Sequence, residues 1–309
     1  MRGSERTEGV SGPGRPTPTR ARADLTWCIR SPSLLAPGHG RTWYPDDAFW
    51  TAQALHGPQS LPVPPDPHRF RLGNHFETLV ATWVDHAPDL TLLTRNLQVF
   101  DAKRTVGEFD LLLERDGSPE HWELAVKFYL AAGDGADPTR WFGPNTADRF
   151  DLKFNRMREH QLVLSQHPAG LATLASKGIA SPSVAAMVKG RLFHPLARYL
   201  DGTWVVPETV NPSHCRGWWV SREALAELQA LGDRFVWLPK SLWLAPIEPA
   251  HNLASIGFSA LAERVADARA QQAEHYAILG PDGAETSRGF VVSPLWIART
   301  NAAAGEPAQ

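Results

Sequence analysis

The segment from Gly107 to Lys127, GEFDLLLERDGSPEHWELAVK, constrains the fold of this chain more than any other stretch. Two runs of β-prone residues flank a turn-rich stretch, Arg115 to Glu120, which contains Asp116-Gly117 and is typical of a β-hairpin. Acidic residues lie on the first strand, and an acid and a lysine lie on the second. Carboxylates on adjacent strands beside an amine can hold a hard cation such as Mg²⁺ and act on a phosphodiester. The sequence therefore predicts a hairpin that carries a metal site.

The spacing of the polar residues on both strands agrees with such a site. Successive side chains of a strand point to opposite faces, so Glu108 and Asp110 share one face of the first strand. By the same rule Glu123, Ala125 and Lys127 share one face of the second strand. An acid that points inward from an apolar strand costs free energy unless it is paired or bound to metal.

The expected register decides which of these groups can meet. Pairing of Glu114 with His121 across the turn would place Asp110 opposite Ala125. Glu123 would then lie diagonal to Asp110, with Cα atoms roughly 7–8 Å apart. A glutamate could span that distance towards a shared cation.

The hairpin resembles the core of the PD-(D/E)XK nuclease superfamily, which often reads G-E-x-D, a turn, and then a hydrophobic residue followed by E-x-K. Gly107-Glu108-Phe109-Asp110 matches the first half and Lys127 matches the final lysine, whereas Ala125 stands where the superfamily has its second acid. The resemblance implies an α/β fold with a restriction-endonuclease-like mixed sheet flanked by helices and a C-terminal α+β elaboration. It also implies a Mg²⁺- or Mn²⁺-dependent nuclease with Asp110 and Lys127 as catalytic residues, and the diagonal position of Glu123 makes it the candidate to replace the missing acid.

Longer strings of the chain resemble an uncharacterised bacterial family, a domain of unknown function placed near these nucleases. The strings that carry the resemblance are DLTWCIRSPSLL, RLGNHFETL, GEFDLLL, HWELAVKFYL, WFGPNTADRFDLK and KGRLFHP. In the nuclease superfamily the helix before the hairpin often carries a glutamate that faces the metal, and Glu77 is the matching position. Asp110 is the expected principal metal ligand, and Glu77, Glu108 or Glu123 would support it.

A helix predicted over Thr146–Gln166 carries a basic stripe. The resemblance places polar or basic residues of this helix near the site and predicts that it contacts nucleic acid. A solvated helix face is the alternative interpretation. The predicted nucleic-acid-binding residues are Arg149, Lys153, Arg156, His160 and Gln161.

Composition limits the partners. The 309 residues carry a formal net charge of −2, so no overall basic field draws the chain onto nucleic acid, and only a local groove could do so. Two cysteines give no disulfide framework and suit a reducing cytoplasm, and no apolar run is long enough to span a membrane.

The pattern along the chain predicts one domain over residues 23–299, elaborated from about residue 200. Residues 1–22 and 300–309 are predicted to be disordered ends. Asp66-Pro67 is typical of a helix start, so a helix is expected over residues 67–86, with a strand over 91–100 before the hairpin.

Two classes of function remain open. The first is a metal-dependent nuclease-like protein in which Glu123 has taken over the role of the missing acid. The second is a catalytically inactive module on the same fold that binds nucleic acid or protein. Ala125 favours the second, whereas Asp110 and Lys127 favour the first.

Single residues also have structural interpretations. Glu108 and Lys127 could form no more than a cross-strand ion pair, and His121 is interpreted as structural.

Overall fold

The computed structural model of the chain describes residues 18–36, 48, 51, 71–267 and 273–303. In this part of the chain the fold is α/β, with a large mixed sheet flanked by helices, as predicted. The strands are β1 (Leu90–Asp101), β2 (Arg104–Arg115), β3 (Ser118–Ala131), β4 (Trp141–Phe142), β5 (Ser183–Pro195), β6 (Cys215–Ser221), β7 (Phe235–Trp237), β8 (Glu274–Leu279) and β9 (Glu285–Val292).

The described helices begin and end partly outside the predicted limits. The first helix begins at Pro18, inside the predicted tail, and the last runs to Ala303; residues 1–17, 304–309 and the expected helix start at 66–67 lie outside the described residues. The helices are α1 (Pro18–Arg30), α2 (Leu72–Val84), α3 (Phe150–Arg156), α4 (Pro168–Ser176), α5 (Leu196–Asp201), α6 (Phe258–Asp267) and α7 (Pro294–Ala303).

All nine described strands belong to one continuous sheet. Its strand order is β1-β2-β3-β5-β6-β9-β8-β7, and β4 pairs separately with β3. The strands β3, β5, β6 and β9 run parallel at the centre, and antiparallel hairpins form both sides. The elements after residue 200 therefore extend the same sheet.

The hairpin turn is tighter than expected, and this changes the register. Asp116 and Gly117 form a two-residue turn with φ of 51° and 75°, the left-handed conformation that such a turn requires. Arg115 therefore pairs with Ser118, and Leu112 pairs with His121. The predicted pairing of Glu114 with His121 is wrong by two residues, because the prediction allowed for a wider loop.

The two strands of the hairpin separate beyond Leu111 and Trp122, where their pairing ends. Further along, β2 stays with β1 and β3 stays with β5. We call this point of divergence the fork. Beyond it, the edge of β3 that pairs with β2 in the hairpin is no longer bonded to that strand.

Strict alternation of side chains fails in β2 at the fork. The ring of Phe109 contacts His121, with centroids 4.7 Å apart, and Phe109 packs in the same buried cluster as Leu112. On β1, Asn96 lies between the pairs formed by its neighbours and has a left-handed φ of 52°. The irregularity of both strands at this level explains why a period of two did not predict the facing of Phe109.

Helices cover both faces of the sheet around the fork. One core cluster joins Leu111, Trp122 and Leu124 to residues of α1 and α2. Another joins Ala125 and Tyr129 to α3 and the segment after it. The helix predicted over 146–166 is divided into α3, a π-helical turn over Met157–Gln161 and a 3₁₀ turn over Leu164–Gln166. No helix in the described ranges is long and apolar enough to cross a membrane.

Candidate active site

Asp110 and Glu123 face each other at the fork. They occupy the next position after the last pair, Leu111 with Trp122, so Glu123 lies opposite Asp110 instead of diagonal to it. Their carboxyl groups lie close enough for each to shift the pKa of the other. The backbone N–H of Leu124 donates to Asp110 Oδ2 at 2.9 Å and holds that side chain across the fork.

Burial raises the pKa of both carboxyl groups well above the ordinary values. Desolvation, together with the nearby charge of Glu123, raises the pKa of Asp110 to about 7. Desolvation also raises the pKa of Glu123 to about 7, against the opposing effect of Lys153. Two adjacent carboxyl groups in this situation share a proton near neutral pH and titrate as a pair.

Glu123 is fully buried and held at both oxygens. Gln161 Nε2 donates to Oε2 at 2.6 Å, and His121 Nε2 lies 3.0 Å from Oε1. Burial lowers the pKa of His121 to about 4, so the ring is neutral at pH 7 and donates through Nε2. His121, interpreted from sequence as structural, is thus a direct partner of the candidate acid.

Lys153 is the amine that lies near the acid pair. Its Nζ donates to Gln161 Oε1 at 2.9 Å, which links it through that amide to Glu123. Burial and the charge of Lys127 lower the pKa of Lys153, while Glu123 and Asp110 oppose the shift. The stripe residue predicted to bind nucleic acid therefore belongs to the acid cluster itself.

Lys127 lies further along β3 and has a different partner. Its Nζ donates to Asp148 Oδ2 at 2.5 Å, and Tyr129 donates to Asp148 Oδ1 at 3.2 Å. Four residues of strand separate Lys127 from Glu123, roughly 13 Å. The structure does not place Lys127 against Glu108, so the cross-strand ion pair considered from sequence does not form.

Glu77 and Glu108 form the outer part of the acidic cluster. Asn96 donates to Glu108 Oε1 at 3.1 Å, and its amide also acts to lower the pKa of Glu77, so it lies beside both acids. Burial raises the pKa of Glu77, and Asp110 raises it further. Glu77 reaches the cluster from α2.

The remaining residues of the predicted basic stripe are separated from this cluster. Arg149 donates two hydrogen bonds to Asp151, at 2.6 and 2.9 Å. Arg156 and His160 are exposed.

A cleft of about 580 Å³ is lined by residues 126–128 of β3, beyond the fork. Lys127 and Asp148 line it together with Arg71 and Lys240, two basic residues that the sequence analysis did not identify. Both residues are far from the hairpin in sequence, and no local motif identifies them. Three cations and one carboxylate make the cleft suitable for an anionic chain.

The acids can hold a metal ion only as a pair. Within the described ranges, no group of three or more histidine, cysteine or acidic side chains is arranged to hold a metal ion. Mg²⁺, however, is usually bound through one or two carboxylates, and its remaining ligands are water and substrate oxygens. The oxygen donors of Asp110 and Glu123, which share a proton that a cation could replace, fit such a site.

These features define an α/β protein with a mixed sheet and a buried carboxyl pair where its central hairpin divides. The chain belongs to the family described as Domain of unknown function (DUF1853), which matches residues 23–292. This confirms the resemblance to a domain of unknown function. No curated protein and no solved structure matches the chain.

Proposed function

We propose that this protein is a nuclease-like phosphodiesterase that binds Mg²⁺ or Mn²⁺ at the fork and nucleic acid in the adjoining cleft. The observation that carries the proposal is the Asp110–Glu123 pair, which is directly opposed across the fork and held there by Leu124 N–H and Gln161. Glu123 takes the role of the acid that the superfamily places at Ala125. Glu77 and Glu108 support the pair from the outer side.

The order of elements supports a restriction-endonuclease-like core. The β2–β3 hairpin is followed by α3 and then by β5, which pairs parallel with β3. Superfamily cores likewise place a helix after the third strand. The helix before the hairpin, α2, carries Glu77, the acid that matches the metal-facing glutamate.

The chemistry follows from the positions of the side chains. A divalent cation supplies Lewis-acid polarisation of a phosphate ester when bound to the carboxyl pair. The N–H group of Leu124 fixes the carboxyl group of Asp110, and the amide of Gln161 fixes that of Glu123. Lys153 places positive charge next to the pair, where charge develops on the phosphate in the transition state.

The cleft would bind the substrate backbone. Arg71, Lys127 and Lys240 offer positive charge beside β3, beyond the fork. Contacts of this kind are independent of sequence and weaken steeply with salt. Lys127 would thus act on the bound strand, because its distance from Glu123 keeps it away from the acid pair.

A catalytically inactive binding module is the second candidate. Two observations favour it: Asp148 holds the ammonium group of Lys127, and both oxygens of Glu123 already have partners. Such a protein would keep the basic cleft and bind nucleic acid without cutting it.

Metal binding and cleavage separate the two candidates. We expect millimolar Mn²⁺ to raise the melting temperature of the parent, because a ligand of the folded state alone stabilises it by mass action. Nicking of DNA or RNA should accompany this shift. Both effects should be lost in Asp110→Asn and in Glu123→Gln.

Glu223→Gln is the matched control, since Glu223 is exposed and lies outside the acidic cluster. It should keep the Mn²⁺ shift and the activity. Binding of nucleic acid without any Mn²⁺ shift would identify the inactive module. Cleavage that survives Glu123→Gln undiminished would refute the role of Glu123.

A further inference from the structure

A second cleft, of about 500 Å³, lies beside the C-terminal half of α1 and the strands β5 and β6. Three arginines line it: Arg22, Arg30 and Arg191. Glu248 is the one acidic side chain among the described residues that line this cleft. The cleft therefore carries an excess of positive charge.

Three buried polar atoms of lining residues have no hydrogen-bond partner in the described structure. They are Trp27 Nε1, Ser31 Oγ and Arg191 Nε. Trp27 is 7% exposed and Ser31 is 6% exposed, so water does not readily compensate for the missing bonds. A buried polar atom without a partner costs about 1–3 kcal/mol.

The chemistry of these atoms identifies what is missing. The indole and guanidinium nitrogens can only donate a hydrogen bond, and the hydroxyl can donate one as well. Donors and positive charge together require an acceptor that carries negative charge. Guanidinium groups bind phosphate oxygens in paired, charge-assisted hydrogen bonds, which suits the three arginines.

We propose that this second cleft binds the phosphate group of a small ligand. Arg191 holds its place through a hydrogen bond of 2.7 Å from NH1 to the carbonyl of Arg216. Arg30, in the last turn of α1, offsets the partial negative charge at the end of that helix.

The second cleft is separate from the fork. Glu123 is paired with Ala186 on β5, and Arg191 lies five positions further along the same strand, roughly 16 Å away. The inference therefore does not depend on the function proposed for the fork.

Cys215 provides a direct measurement, because it lines the second cleft and is partly exposed. The other cysteine of the chain, Cys28, is 1% exposed and serves as an internal control. We expect inorganic phosphate, or a nucleoside 5′-monophosphate, to slow alkylation of Cys215 by iodoacetamide severalfold. Sodium chloride at equal ionic strength should not do so. Mass spectrometry of the labelled peptide gives the rate.

Arginine variants test the assignment. Arg30→Gln and Arg191→Gln should each raise the phosphate concentration needed for protection by about tenfold, as expected for loss of a charge-assisted hydrogen bond. Arg30 is exposed, so its variant remains informative even if Arg191→Gln does not fold. Arg158→Gln, at an exposed arginine of the π-helical turn, should leave protection unchanged.

Protection by either phosphate compound supports the site, and tighter binding of the nucleotide would show that the ligand extends beyond its phosphate. Equal alkylation rates with phosphate and with chloride would overturn the proposal. Protection that survives both cleft substitutions would overturn it as well.

Discussion

Asp110 and Glu123 hold a proton at a pH where most carboxyl groups have lost theirs. Their ordinary pKa values, 3.8 and 4.5, rise to about 7 in the folded protein, first because of burial. The folded state therefore binds more protons than the unfolded state between about pH 4 and pH 7. This part of the stability is fully present below pH 4 and is lost as the pH rises through 7.

We predict that the melting temperature of the parent falls more between pH 5 and pH 8 than that of the double variant Asp110→Asn, Glu123→Gln. The variant keeps polar groups at both positions but has no proton to lose. Differential scanning fluorimetry across this interval measures the difference. Parallel curves for the two proteins would contradict the raised pKa values. Added Mn²⁺ should raise the melting temperature of the parent most near pH 8, where the pair is ionised.

At the same scale, Ala125 shows why a motif alone could not locate the acid. The side chain of Ala125 is 6% exposed and packs in an apolar cluster with Tyr129 and Val188. A carboxylate at this position would be buried without a partner. The sequence identified Glu123 as the nearest alternative, but its partners Gln161 and His121 follow from tertiary packing that no local pattern contains.

Among the elements, the two-residue turn has the largest effect on the site. Gly117 has a φ of 75°, a conformation that costs other residues free energy. The turn fixes Arg115 against Ser118 and thereby brings Asp110 opposite Glu123. A change of one residue in this register would turn the side chains to the other face.

We predict that Gly117→Ala lowers the free energy of unfolding by about 1 kcal/mol. The space around Gly117 is open, so the cost comes from the backbone alone. Gly257→Ala is the control, because Gly257 has ordinary φ and its nearest neighbour for an added Cβ is Asp233 O at 4.0 Å. Urea denaturation of both variants tests this. Equal stability of the two would contradict a turn that requires glycine.

The hairpin, the strand before it and α2 follow from local patterns of the sequence. Asp116-Gly117 predicts the turn, and the apolar stripe of α2, including Phe76, Leu79 and Val80, is buried as expected. The fork could not be predicted in this way. It depends on β3 pairing along its other edge with β5, which holds β3 in place where β2 diverges, and that pairing joins residues about 60 positions apart.

Across the whole molecule, a buried ionic cluster joins distant parts of the chain. Asp24 of α1 contacts Arg20 at 2.9 Å and His75 of α2 at 3.3 Å. It also accepts a hydrogen bond of 3.1 Å from the backbone of Ala245, 221 residues away. Asp24 is 1% exposed and lies in the string DLTWCIRSPSLL that carried part of the family resemblance.

We predict that Asp24→Ala lowers the free energy of unfolding by about 3–5 kcal/mol, because it leaves the buried charge of Arg20 without its carboxylate. Asp85→Ala is the matched control: Asp85 also lies beside a histidine, His86, but its side chain is 61% exposed. The control should cost less than about 1 kcal/mol. Chemical denaturation followed by tryptophan fluorescence compares them. Similar losses would mean that Asp24 does not join the two segments.

The shape of β1 bears on how copies of this protein meet in solution. β1 is the terminal strand of the described sheet, and its partially exposed Leu93 and Phe100 could attract another chain. Its register shifts near both ends, and Asn96 interrupts it with a left-handed residue. A strand bent in this way offers no long, flat row of hydrogen-bonding groups, so it resists edge-to-edge aggregation. Asn96, which donates to Glu108 in the acidic cluster, thus also interrupts the outer edge of the sheet.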